Sequence, residues 1–290
     1  MNILVTGSNG QLGSEIKDIA IYYPNFKFFF MDLPELDICK SIQLEVFFND
    51  KNINTVINCA AYTAVDQAEE DAEIAEQVNA KGVLNLVNAL KKVDGKLIHI
   101  STDYVFDGTS FLPYQESDPV SPIGIYGKTK RAGELAVINS DIDSILIRTS
   151  WLYSAFGNNF VKTMLKLGYE RDELGVIFDQ VGTPTNAGDL AKTCLDILLG
   201  KNSANISMKG KIYHYSNEGV TSWYDFATAI MEFGSLDCKV RPIETKDYPT
   251  PAKRPHYSVL NKSKIKTDFN IEIPYWRDSL DKCIEKLKSK

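Results

Sequence analysis

The chain has 290 residues, 44% of them hydrophobic and 24% charged, enough to bury one large α/β domain or two smaller ones. A net charge of -6 argues against nucleic acid as the main partner, because phosphate contacts need clustered Lys and Arg. No apolar run reaches the roughly 18 residues of a membrane span, so no membrane partner is expected either.

The cysteines at 39, 59, 194, 238 and 283 are scattered and odd in number, which fits free thiols in a reducing compartment. The first strand begins almost at Met1 with no leader-like segment before it, and the expected location is cytoplasmic. Two matches to the glycosylation pattern, at Asn205 and Asn261, are therefore read as chance.

In chain order, residues 2–6 form a short apolar run of the kind found in buried parallel strands. The glycine segment 7–13 follows, then a helix to about Ile21. A second run, Phe26 to Met31, ends at Asp32, and Ser41 is read as the N-cap of a helix to about Asn49. Thr55 to Asn58 is a third strand, and a helical pattern extends from about Val65 to Leu90. Leu97–Ile100 and Ile145–Ile147 are the fourth and fifth strands, with a helix starting near Tyr126 between them. Strands alternating with helices predict a parallel sheet covered on both faces.

Beyond Trp151 the pattern is irregular, and a soft boundary falls near residue 150. Helices are expected at about 157–168, 188–199, 222–234 and 277–288, with short strands near 174–177 and 212–215. Some elements between about 185 and 220 are expected to pack back onto the first domain.

Strand, glycine turn and helix in that order make Gly7, Gly10 and Gly13 a dinucleotide-binding pattern, with the pyrophosphate on the helix N-terminus. Asp32 ends the second strand 19 residues after Gly13, where a carboxylate can accept hydrogen bonds from the adenosine ribose, and Asp37 nearby can share that role. Gly127-Lys128-Thr129 is not an ATP-type phosphate loop, because Pro122 stands where that loop needs glycine.

The string Ser101 to Gly108 follows the fourth strand directly, where side chains face the ligand crevice. Thr102 there and Tyr126 on the next helix are two donors able to converge on one carbonyl oxygen. Tyr126 and Lys130 share a helix face at i, i+4 spacing, a phenol beside an ammonium that could lower its pKa. Tyr23 and Lys27 have the same spacing, but Pro24 lies between them and their flanks read as a turn. His99 reads as a packed core residue, and neither His214 nor His256 has partners at metal spacing. Trp151 is the aromatic placed to wall a ligand pocket.

Thr6–Gly13, Asn58–Asp66, Ser101–Gly108 and Tyr126–Glu134 together resemble the extended short-chain dehydrogenase/reductase family, and within it the nucleotide-sugar reductases. The likeness continues through Asp179–Thr185 and Lys253-Arg254-Pro255. It implies a Rossmann-type doubly wound parallel sheet over residues 1–150 and a smaller C-terminal α/β substrate domain over 151–290. The implied reaction is reduction of the C4 keto group of dTDP-4-dehydro-L-rhamnose by NADH or NADPH, feeding a surface polysaccharide. Asp32 tilts the choice towards NADH.

By the same resemblance Tyr126 protonates the alkoxide, Lys130 holds the nicotinamide ribose and lowers the tyrosine pKa, and Thr102 binds the carbonyl oxygen. Gly10, Gln11, Leu12, Asp32, Asp37, Ile38, Ala61, Tyr62 and Thr63 line the cofactor. Asp103 and Trp151 touch the sugar nucleotide, and Arg254 helps hold its diphosphate. A homodimer stays open. So do a dehydratase or epimerase of the same fold and a non-catalytic regulatory relative. Dehydratases place a second acid after the Asp of the Thr-Asp pair, where this chain has Tyr104.

Overall fold

The computed structural model describes residues 1–200 and 208–289, so the Asn205 glycosylation match lies outside the described residues. The first half alternates regularly. Strand β1 (Asn2–Thr6) leads into α1 (Gln11–Ile19), β2 (Lys27–Met31) into α2 (Ser41–Lys51), and β3 (Thr55–Asn58) into α3 (Ala72–Glu76) and α4 (Val83–Lys92). Strand β4 (Lys96–Thr102) leads into α5 (Ile125–Ile138), and β5 (Asp143–Thr149) follows.

The second half contains β6 (Leu152–Tyr153), α6 (Phe160–Glu170), β7 (Glu173–Ile177), β8 (Val181–Gly182), β9 (Thr185–Asn186) and α7 (Ala187–Leu198). It continues with β10 (Lys211–His214), β11 (Thr221–Ser222), α8 (Trp223–Gly234), β12 (Lys239–Ile243), α9 (Ser263–Phe269) and α10 (Trp276–Lys288). Cys39, Cys59, Cys194 and Cys238 are free thiols, and no helix among the described residues is long and apolar enough to cross a membrane.

Six strands form one parallel sheet in the order β10-β5-β4-β3-β1-β2. The uninterrupted apolar run of β1 follows from burial on both faces. Ile3 and Val5 point into a core with Leu12, Ile16, Leu190 and Leu195, while Leu4 points into the opposite core with Leu44, Phe48, Leu86 and Leu90. The chain runs outward from β1 to β2 and then returns to β3, which opens a crevice at the carboxyl ends of β1 and β3. A third core, around Val161, Val176, Phe226, Ile230, Trp276 and Leu280, supports the C-terminal half. There β7 pairs β12, β8 pairs β11 and β6 pairs β9.

Three local expectations are corrected. Ser41 is the first residue of α2 and Lys40 its cap, with no side-chain cap bond, and the helix runs on to Lys51. The pattern from Val65 to Leu90 is not one helix, because residues 67–69 form a tight turn and Gln77–Gly82 a widened π turn between α3 and α4. The carboxylates before α3 are spent on tertiary bonds: Asp66 on Arg254 and Ala252, Glu69 on the Ile125 amide, Asp71 on the Tyr62 hydroxyl. The wide turn carries Asn79, fully buried, whose amide bonds both the N–H and the C=O of Tyr62 and donates to Thr129 Oγ1. Third, β12, α9 and the two-residue strands were not expected, β12 and α9 being short and largely polar and the others too short to show a period.

Helix α5 is fixed to the sheet by a buried ion pair. Arg148 on β5 donates from Nε and Nη2 to the two oxygens of Glu134, at 2.8 and 2.9 Å, with both side chains 1% exposed or less. Ser101 Oγ and Arg131 Nη1 complete the carboxylate at 2.7 and 2.8 Å. Burial alone would raise the Glu134 carboxyl, but these donors, Arg148 first, hold it below the usual range.

Arg148→Met should therefore lower unfolding stability by about 3–5 kcal/mol, since it strands a buried charge, and Arg148→Lys should recover only part of that. Urea unfolding followed by circular dichroism measures both. The Glu134 contribution should be complete above the ordinary carboxylate pKa of about 4.3 and be lost as pH falls through its lower folded value.

Candidate active site

The glycine turn is tight for steric reasons. Gly7 has φ +60°, and a side chain there would collide with the Ala60 backbone across the crevice. At Gly13 a Cβ would collide with the Gly7 carbonyl and Ser8. Gly10 donates to Gly7 O at 3.1 Å, and a Cβ there would meet only that oxygen, so its outer side is open. Helix α1 starts at this turn with no side-chain cap, leaving its first amides for an anion.

Gln11 reaches across to Leu152 O at 3.4 Å, and its buried Oε1 has no partner. Asp32 accepts from Asn9 N and Leu33 N, each at 2.9 Å, which places its carboxylate at the rim of the turn. Asp37 caps its own loop through Cys39 N. Leu12 and Ile38 are buried, one in each of the two cores flanking the sheet. Ala61, Tyr62 and Thr63 follow β3 on the opposite wall, with Tyr62 held by Asn79 and Asp71.

Thr102, Tyr126 and Lys130 come together at the end of β4. Thr102 is 5% exposed and Lys130 3% exposed. Lys130 Nζ donates to Ile100 O at 2.7 Å, and burial pushes its pKa down to about 8. The Tyr126 ring stands edge-on to Tyr104 at 5.4 Å. Gly127 lets the helix start lie against the Tyr104 carbonyl, where any side chain would collide. Tyr23 and Lys27 share no helix: Tyr23 ends a short 3-10 turn and Lys27 opens β2.

The expected lowering of the Tyr126 pKa by Lys130 is corrected. Burial pushes the phenol up to about 12, the Thr102 hydroxyl pulls it down, and the Asp103 charge pushes it up again. The ammonium is committed to Ile100 O instead.

Asp103 is buried beside Thr102, with Thr102 Oγ1 donating to its Oδ1 at 3.0 Å. Trp151 has φ +48° and lies flat on Trp223, with ring centroids 3.6 Å apart. Gly182 leaves room for that ring, since a Cβ there would lie 2.7 Å from it. Arg254 bonds Asp66 Oδ2 at 2.6 Å, joining the C-terminal half to the loop after β3. Sequence reasoning missed Asn79, Trp223 and Ser258 as residues of this neighbourhood; it read Asp66 only as part of a motif and Tyr104 only as the residue standing where a dehydratase has its second acid. Tyr104 was legible from its place next to the Thr-Asp pair. The others carry no local signal.

The family described as RmlD substrate binding domain matches residues 1–289. A dTDP-4-dehydrorhamnose reductase from Aggregatibacter actinomycetemcomitans is 40% identical over 284 residues, 96% of this chain and 96% of its own. The crystal structure of a dTDP-4-dehydrorhamnose reductase from Clostridium acetobutylicum superposes with a TM-score of 0.92 at 43% identity, covering 99% of this chain and 100% of that one. Another, from Bacillus anthracis in complex with NADP, gives a TM-score of 0.92 at 35% identity over 98% and 99%. With matches of this identity running over almost its whole length, the chain belongs to the dTDP-4-dehydrorhamnose reductase family.

Proposed function

We propose that this chain reduces the C4 keto group of dTDP-4-dehydro-L-rhamnose to give dTDP-L-rhamnose, with NADH or NADPH as reductant. In this reading residues 1–150 hold the dinucleotide and residues 151–290 the sugar nucleotide. The observation that carries it is the clustering of a buried hydroxyl, a phenol and an ammonium (Thr102, Tyr126, Lys130) at the strand ends beside the glycine crevice. Family membership supplies the substrate class.

The residues fit a dinucleotide. The uncapped start of α1 and the open side of Gly10 suit a pyrophosphate. Gly7, Gly13 and the backbone at Gln11 and Leu12 shape that cradle. Ala61, Tyr62 and Thr63 stand on its other wall, and Asp37 and Ile38 follow the ribose carboxylate of Asp32. Each Asp32 oxygen keeps a lone pair after its backbone bond. That suits the free ribose of NADH, while the relative holding NADP supports NADPH, so the reading keeps both. When bound, the cofactor supplies hydride to the sugar carbon.

Tyr126 is the proton donor. A phenol held near 12 keeps its proton at neutral pH and releases it only to a stronger base, the developing alkoxide. Lys130, still charged at neutral pH, is the ribose ligand. Asp103 and the Trp151–Trp223 pair border the sugar, and Arg254, which pairs with Asp66 in the loop after β3, is available to a diphosphate if it leaves that carboxylate. A dehydratase would need an acid where Tyr104 stands, and burial raises that phenol well above the ordinary tyrosine value.

Tyr126→Phe should lower turnover by about two to four orders of magnitude while cofactor binding, read by nicotinamide fluorescence, survives. Lys130→Met should damage both. Near-normal turnover in Tyr126→Phe would remove the assignment.

The nucleotide should matter to rate as well as affinity, because handle binding is spent on positioning the keto group. Loss of nicotinamide absorbance with dTDP-linked and free 4-keto sugar at matched concentrations measures this. Free sugar should react far more slowly, and Arg254→Ala should narrow the gap. Equal rates would leave only a generic carbonyl reductase.

A further inference from the structure

Asp103 is 3% exposed, and its Oδ2 lacks a fully formed hydrogen bond. The Ser258 hydroxyl, also buried and short of a full bond, reaches it from the C-terminal half. Its Oδ1 takes the hydrogen of Thr102 at 3.0 Å, and Thr102 Oγ1 in turn accepts the Tyr104 N–H at 3.2 Å. A hydroxyl has one hydrogen and two lone pairs. With Asp103 ionised, the hydrogen goes to Asp103 and one lone pair to Tyr104. What remains towards Tyr126 is a lone pair, the wrong polarity for a carbonyl oxygen gathering negative charge.

One proton on Asp103 Oδ1 reverses the count. The acid then donates to Thr102, the Tyr104 amide fills the second lone pair, and the Thr102 hydrogen is free for the cleft. We propose that Asp103 works as a neutral acid that positions the Thr102 hydroxyl, turning its hydrogen towards the C4 oxygen of the substrate as a second donor beside Tyr126. The inference rests on the reductase reading above. No bond is made or broken at Asp103 or Thr102, since the proton that reaches the alkoxide leaves Tyr126.

Its surroundings shift Asp103 towards the neutral form, which predominates below about pH 6. Burial pushes the Asp103 carboxyl up to about 6, against hydrogen bonds from Ser258, Thr102 and the backbone amides of Asp103 and Tyr104. The titratable groups facing it are Tyr104 on its own turn and Tyr126 on α5. Arg254 and Asp66 lie beyond Tyr104 and are paired with each other. Among the described residues no cation pairs with Asp103. An ionised Asp103 also raises the Tyr126 phenol, so its charge opposes both donors at once.

The test compares pH profiles of kcat/KM for the wild type and Asp103→Asn. In the wild type the rate should fall by about tenfold per pH unit above the Asp103 ionisation. Asparagine, neutral at every pH, can donate its amide N–H to Thr102. Its profile should stay flat until the separate fall set by Lys130 near 8. A fall in Asp103→Asn at the wild-type position overturns the proposal.

Infrared difference spectra of the protein without substrate give a second readout. Below pH 6 the wild type should show a protonated-carboxyl stretch that Asp103→Asn lacks, and its absence also overturns the proposal. Failure of the wild type to reduce any dTDP-4-keto sugar would instead defeat the reductase reading, and the infrared band would still decide the state of Asp103.

Discussion

The site depends on one buried electrostatic contact, the Arg148–Glu134 pair beneath helix α5. Tyr126, Lys130 and Glu134 lie at i, i+4 and i+8, one stripe of a single helix face. Each meets a neighbouring residue of β4: Glu134 takes Ser101 Oγ, Lys130 donates to Ile100 O, and Tyr126 stands beside Thr102. Fixing the last residue of the stripe to Arg148 fixes the rotation of the whole helix, and with it the direction of the phenol. On the flank, Asn79 bonds Thr129, and Gly133 admits the Asn79 carbonyl where no side chain fits. Translation and rotation of α5 are thus set by different contacts.

The sheet was legible because its strands are buried on both faces. Runs such as residues 2–6 and Thr55–Asn58 have no polar face to blur them, and the second ends where the structure ends it. The chemistry was legible where it is local: Thr102 with Asp103, and Tyr126 with Lys130. What escaped was set by distant partners. The break before α4 depends on what Asn79 meets, and Trp223 joins Trp151 from 72 positions along the chain. The phenol pKa escaped for another reason. Spacing reported a neighbouring cation but not its commitment to Ile100 O, nor how much water the fold removes from Tyr126.

Above the crevice the two halves touch through polar contacts and one small apolar cluster of Val105, Phe106, Tyr114 and Leu260. Arg254 and the Ala252 amide both hold Asp66, Ser258 approaches Asp103, and Tyr114 pairs with Leu260. Hydrogen bonds and exposed ion pairs of this kind are individually weak and exchange with water. They can let the outer wall yield to a bulky ligand while the cores below stay packed.

The last strand of the main sheet, β10, comes late in the chain, and α7 and α9 cover one face of that sheet. During synthesis, the first 150 residues can form only a five-stranded sheet. Its β5 edge is bare, and part of one apolar face is uncovered. Such an edge is a template for pairing with another chain. That edge and face stay open until residues up to about 273 have left the ribosome, a stretch of synthesis in which such surfaces invite wrong pairing.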